Sequence, residues 1–188
     1  MADAEKPVLA RYRDRMDKSV AALKEEFGSL RTGRASAGLL DQVMVEAYGA
    51  KSPITQVAGI SVPDPRSITV QVWDRGLVVS VEKAIRNAGL GLNPVVEGQN
   101  LRVPVPPLTE DRRRDLAKLA GKYAEHQRVA VRNVRRDAND DLKKAEKAGV
   151  INQDELKRMT EEVQKLTDEA IKRVDEALKT KEQEIMQV

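Results

Sequence analysis

TEDRRRDLAKLAGKYAEHQRVAVRNVRRDANDDLKKAEK, residues 109–147, is the stretch whose reading decides the fold. Leu116, Leu119, Tyr123, Ala130, Val134, Ala138, Leu142 and Ala145 recur at helical spacing and draw one apolar stripe along it. Thr109 offers an N-cap, and Glu110 and Asp111 behind it suit the positive end of a helix dipole. Gly149 can adopt the left-handed conformation that closes a helix. A helix of this length reaches about 55–60 Å. A single stripe is too narrow for a globular core and suits a coiled-coil-like bundle, so the helix needs partners.

The partners lie on both sides of it. Leu9, Tyr12, Met16, Val20, Leu23, Phe27 and Leu30 form a similar stripe near the start, with Pro7 ahead of it. Asn152-Gln153-Asp154-Glu155 restarts a helix that carries Leu156, Met159, Val163, Leu166, Ala170, Val174, Ala177 and Ile185. Between the first stripe and the second the texture changes. Seven of the eight prolines fall from Pro53 to Pro107, and eight of the eleven glycines fall within residues 31–106, which marks an inserted, turn-rich module. Residues 42–48 and 67–73 alternate, Ile60-Ser61-Val62 and residues 100–105 add further strands, and residues 77–88 have helical spacing. Ile68, Val70 and Val72 should share one strand face. The expected fold class is α+β: an elongated three-helix bundle from residues 1–30 and 107–188, with a small β/α/β module from residues 31–106 inserted in it. The chain must then cross between the bodies twice, near residues 31–34 and 104–107. Gly33 supplies freedom in one crossing, and Pro104, Val105, Pro106 and Pro107 stiffen the other, which makes this pair of links a hinge or a rigid elbow.

Composition excludes much chemistry. The chain of 188 residues has no Cys and one His, which removes disulfide scaffolds, thiolate metal sites, cysteine nucleophiles and multi-histidine centres. No phosphate-cradling GxxxxGK[ST] or GxGxxG run is present, and the paired acids at Asp140-Asp141, Asp154-Glu155 and Glu161-Glu162 sit among compensating Lys and Arg. No catalytic residue, metal site or bound cofactor is expected, and His126 reads as a packing or solvent-exposed side chain. Trp73 reads as a packing residue of the module. No apolar run spans a membrane and MADAEKPVLA carries no signal core, so the expected location is the cytoplasm.

Charge is distributed unevenly. The net charge is only +3, yet residues 112–136 hold nine basic side chains against Asp115 and Glu125, while residues 137–188 are net acidic. Such a step suggests a surface facing a polyanion. Arg128, Arg132 and Arg135 fall along one helical stripe, with Arg136 beside it. The arginine fork grips phosphate oxygens in pairs, and the near-absence of interleaved aromatics favours folded RNA backbone over stacked single strands. A helical protein-binding scaffold and a nonspecific structured-RNA module are the alternatives.

The same residues carry a resemblance. RVAVRNVRRDANDDLKKAEK at 128–147 resembles the signature segment of the bacterial ribosome recycling factor family. LRTGRAS at 30–36, YGAKSPITQVAGISVPDPRSI at 48–68, VEKAIRNAGLGLNP at 81–94, LRVPVPPLTEDRRRDL at 101–116 and VQKLTDEAIKRVDEALKTKEQEIMQV at 163–188 resemble it in the same order. The resemblance implies an L-shaped, two-domain, tRNA-sized monomer whose bundle and β/α/β module meet at a hinge. It implies binding to the large-subunit ribosomal RNA of the post-termination ribosome. Splitting of the subunits with elongation factor G and its GTP hydrolysis, and cooperation with initiation factor three, are implied with it. The family's RNA-contacting arginines match Arg132 and Arg135, then Arg128, Arg136 and Arg113 on the basic bundle surface, with Arg31 and Arg34 as a pair near the hinge.

Overall fold

In a computed structural model that describes residues 5–30 and 33–187, the chain divides into two units, each with its own core. One combines the chain through Leu30 with Glu110–Gln187; the other lies within Arg31–Thr109.

The first unit is three helices, α1 (Leu9–Ser29), α3 (Glu110–Lys147) and α4 (Gln153–Met186), each packed on the other two. Tyr12, Met16, Val20, Leu23 and Phe27 of α1 are buried at steps of three and four. On α3 the buried line is Leu116, Ala120, Ala124, Gln127, Val131, Val134, Ala138, Leu142 and Ala145. It departs from the expected stripe in its first half: Leu119, Tyr123 and Ala130 are only half-buried on the flank, and Ala120, Ala124, Gln127 and Val131 take the centre. Small side chains at the centre let neighbouring helices approach, and bulky ones close the edges. α4 similarly buries Thr167, whose hydroxyl donates to the Val163 carbonyl at 2.8 Å, while Leu156, Leu166 and Ala177 are half-buried.

Gln127 and Tyr12, both buried in this seam, each have a partner on another helix. The Gln127 amide donates to Glu26 at 2.9 Å, and the Tyr12 hydroxyl donates to Asp141 at 2.5 Å. The turn from α3 into α4 follows from its residues. Gly149 has φ 73°, its N–H reaches the Glu146 carbonyl at 3.0 Å, and the Val150 N–H reaches the Ala145 carbonyl at 2.9 Å, which is a Schellman closure. Asn152 then caps α4. Its side chain accepts from the Glu155 N–H at 2.8 Å, and the Glu155 carboxylate accepts from the Asn152 N–H at 3.2 Å. Lys6 binds the same carboxylate at 2.9 Å, and the two contacts hold it below the usual Glu range.

The second unit contains β1 (Met44–Ala47), β2 (Ala50–Pro53), β3 (Ala58–Asp64), β4 (Ser67–Val72), α2 (Val78–Asn87), β5 (Val95–Glu97) and β6 (Asn100–Pro104). β1 and β2 form a hairpin; the other strands form an antiparallel sheet in the order β3-β4-β6-β5. β2 and β5 were not among the expected strands, because four and three residues with mostly exposed side chains carry no alternation to read. Ile68, Val70 and Val72 of β4 and Leu101 and Val103 of β6 are fully buried, and they share a core with Leu40, Val43, Ile54, Val81 and Ile85. α2 packs mainly on β1 and reaches β5 and β6. Pro63 lies at an irregular stretch of the edge strand β3, where a missing N–H does not break a ladder.

Tyr12 supplies a test of the bundle seam. Its phenol is pushed up from 10.0 to about 12, by burial first and then by its bond to Asp141. A raised pKa means that the neutral phenol is favoured in the folded chain, so its stabilisation is complete below pH 10 and disappears as pH rises through about 12. Thermal unfolding across this range should show wild type above Tyr12→Phe in midpoint below pH 10, with the gap closing by about pH 12.

Candidate nucleic-acid interface

The basic run of α3 lies a quarter-turn from the buried line, along the seam with α4. Residues at steps of four and three stack on one face, so Arg128, Arg132 and Arg135 line up, and Arg136 sits about 100° further round. Their surroundings differ sharply.

Arg128 is held inside the bundle. Its Nε and Nη2 reach one carboxylate oxygen of Asp175 on α4 at 2.8 and 2.7 Å, and its Nη1 reaches Glu125 at 3.0 Å. Its side chain is 20% exposed. Burial works against the charge, but the bonds to Asp175 and Glu125 outweigh it and raise the pKa above the ordinary Arg value. Arg132 is 42% exposed and meets only the far oxygen of Glu125, at 3.4 Å. Arg135 reaches the Gln164 side-chain oxygen at 3.3 Å, and Gln164 in turn donates to Asp168 at 2.9 Å. Charge-assisted bonds normally measure about 2.7–2.9 Å, so the contacts of Arg132 and Arg135 are loose and open to exchange. Arg136 is exposed and has no side-chain partner among the described residues.

The other expected residues are scattered. Arg113 is half-buried in the first turns of α3, and its Nε is covered without an acceptor among the described residues. Arg34 is exposed on the second unit, and Arg31 lies outside the described residues. Lys118 and Lys122 extend the exposed basic surface of α3 toward its N-terminus, while Arg114 is paired with Glu110 at 2.5 Å.

The connecting segments are also uneven. Pro104 is paired with Ser67 at the end of β6, and Val105 is buried with its N–H bonded to the Arg66 carbonyl at 2.8 Å. Both are therefore held by the sheet, while Pro106 and Pro107 are exposed and outside any element. Gly33 has φ 77°, and a Cβ there would lie 2.7 Å from the Leu108 Cγ, so the position requires glycine on two counts.

Among the described residues no three His, Cys, Asp or Glu side chains are placed to hold a metal ion, and no helix is long and apolar enough to cross a membrane. His126 is exposed on α3.

One surface feature went unread in the sequence. Trp73 is 60% exposed rather than packed, and Tyr48 is 80% exposed. Tyr48 and Gly49 make a tight hairpin turn with φ 53° and 80°, a conformation that a tyrosine rarely adopts. The Tyr48 hydroxyl donates to Asp74, whose other oxygen accepts the Gly76 N–H at 2.9 Å. That carboxylate is held below the usual Asp range by the same two bonds. The Gln99 amide fixes the neighbouring carbonyls of Val72 and Trp73 at 2.8 and 2.9 Å. β4 ends at Val72, one residue before Trp73, whose indole lies over Gly59. As the sole tryptophan, Trp73 should emit at the long wavelength of a hydrated indole and be quenched by iodide in the folded protein. A blue-shifted, quencher-resistant emission would contradict this exposure.

Comparison with known proteins identifies the family. The family model described as ribosome recycling factor matches residues 23–186. The ribosome-recycling factor of Caulobacter vibrioides is 79% identical over 188 residues, covering all of both chains, and that of Phenylobacterium zucineum is 78% identical over the same span. A solution structure of the ribosome recycling factor is similar at 47% identity and a TM-score of 0.68, with 94% of each chain covered. A Thermus thermophilus ribosome recycling factor, described with Escherichia coli elongation factor G bound to the post-termination complex, is similar at 47% identity and a TM-score of 0.59. In that comparison 95% of this chain and 97% of the other are covered. The chain, with its arginine-lined α3 and its inserted sheet unit, belongs to the ribosome recycling factor family.

Proposed function

We propose that this chain binds the post-termination ribosome and, together with elongation factor G, splits it into subunits for reuse. The observation that carries the reading is the row of Arg132, Arg135 and Arg136 beside the α3–α4 seam, in a chain that matches the family over residues 23–186. Guanidinium forks at one-turn spacing suit a row of phosphates, and their loose present contacts can be exchanged for stronger ones. α3 has one aromatic residue, the half-buried Tyr123, so the contact is with the backbone of folded RNA rather than with stacked bases. Large-subunit ribosomal RNA is the docking partner.

The chain acts as a cytoplasmic monomer, without a catalytic residue or cofactor of its own. GTP hydrolysis belongs to elongation factor G, and initiation factor three keeps the separated subunits apart. The second unit, joined through the Gly33 segment and through Pro106 and Pro107, moves as elongation factor G engages. That motion, with the bundle anchored on RNA, strains the bridges between the subunits. Arg34 and Arg31 support RNA contact near the links, and Arg113 extends the bundle surface.

Purified post-termination ribosomes test the reading. Wild type with elongation factor G and GTP should split them. The double change Arg132→Ala, Arg135→Ala should lose splitting and reduce the salt slope of ribosome binding by about two, roughly one for each phosphate contact removed. Failure of wild type to split ribosomes would overturn the assignment. An engineered cross-link that joins the two units should leave ribosome binding intact and abolish splitting, measured by light scattering; undiminished splitting would remove the hinge from the mechanism.

A further inference from the structure

We propose that Arg128 is a positioning residue: it is locked between Asp175 and Glu125, and by holding Glu125 it keeps Arg132 available to phosphate. The inference rests on the RNA-anchoring role of the α3 arginines and deepens it. Three observations carry it. First, the contacts of Arg128 are short and use three of its nitrogens, on two helices. Second, Arg128 is less exposed than Arg132, at 20% against 42%, and its charge is matched by two carboxylates before any RNA arrives. Third, Glu125 divides its carboxylate. One oxygen is held by Arg128 at 3.0 Å and the other meets Arg132 at only 3.4 Å.

Glu125 is the only acidic residue in the sequence from Leu116 to Arg136. It is 56% exposed and sits one helical turn before Arg128 and two before Arg132. In the free protein it stands where an incoming phosphate oxygen would compete for Arg132. With Arg128 in place, most of its negative charge is already answered, and Arg132 is held loosely enough to be exchanged. Without Arg128, Glu125 becomes an unanswered anion beside Arg132 and competes with phosphate directly. Arg128 therefore contributes to RNA affinity without touching RNA, and Asp175 on α4 holds it in that role.

Salt titration of binding to purified large ribosomal subunits separates this from a direct contact, because the slope counts the phosphates engaged. Arg132→Ala should reduce the slope by about one. Arg128→Met, which keeps the apolar stem but removes the charge, should weaken binding about three- to tenfold with the slope unchanged. Adding Glu125→Gln to Arg128→Met should restore most of the affinity, because the released competitor is gone. Circular dichroism at the assay temperature confirms that each variant is folded, and Arg128→Lys serves as a second variant that retains one charged contact. Arg128→Lys should fall between wild type and Arg128→Met in affinity. A slope reduced by about one in Arg128→Met, or no recovery on adding Glu125→Gln, would overturn the proposal and make Arg128 an ordinary phosphate ligand. A slope unmoved by Arg132→Ala would instead overturn the anchoring role on which it rests.

Discussion

Close approach of α3 to its neighbours is the constraint on which the bundle depends. Ala120, Ala124, Ala138 and Ala145 occupy four places in its buried line, at almost complete burial. Alanine at the contact brings helix axes toward the short end of the roughly 8–10 Å range. Larger side chains on the other two helices, Met16, Leu23 and Ile185, are fully buried in the same bundle. Larger side chains on α3 would push the helices apart, at a cost of about 1–3 kcal/mol for overpacking. They would also draw Asp175 away from Arg128, since that 2.7 Å contact spans α3 and α4. The core therefore sets the electrostatics of the surface beside it.

That coupling explains why similar arginines on one helix differ in their surroundings. Exposed ion pairs contribute little, typically about 0–1 kcal/mol, because water and salt screen them. Arg132 falls in this class, and Arg135 meets a neutral amide oxygen; both contacts are long enough for a phosphate to replace. Arg128 sits where α3 and α4 meet, 20% exposed itself and with two carboxylates in reach. A binding surface needs charges that are still available, and a bundle seam needs charges that are matched. This stretch of α3 supplies both within two turns.

The second unit is built on other physics. Its sheet buries the alternating Ile68, Val70 and Val72 against α2 and the β1–β2 hairpin, and its polar contacts tie the turns. Asp64, which accepts from the Arg66 N–H and the Ser67 hydroxyl, shapes the β3–β4 turn. Asp74 ties the strained Tyr48 turn to the start of α2. Pro104 and Val105 extend this order past the end of β6.

The helices, the inserted module and the arginine-rich run were legible from residue order alone. Helical spacing in α1, α3 and α4, the Gly149 stop, the Asn152 restart and alternation in β4 are local signals, written within a few residues of where they act. The short strands β2 and β5 were not legible, because their pairing comes from neighbours rather than from their own pattern. Leu119 and Tyr123 looked like core residues by hydrophobicity, yet the choice between them and Ala120 and Ala124 depends on how closely another helix can approach. Trp73 looked like core by hydrophobicity too, and is exposed because it falls one position out of step with the buried Ile68, Val70 and Val72. Sequence thus determined which residues form the elements and where positive charge accumulates. Only the tertiary structure decided which of those charges remain available, because Arg128 and Asp175 are 47 positions apart and meet only when α3 and α4 pack.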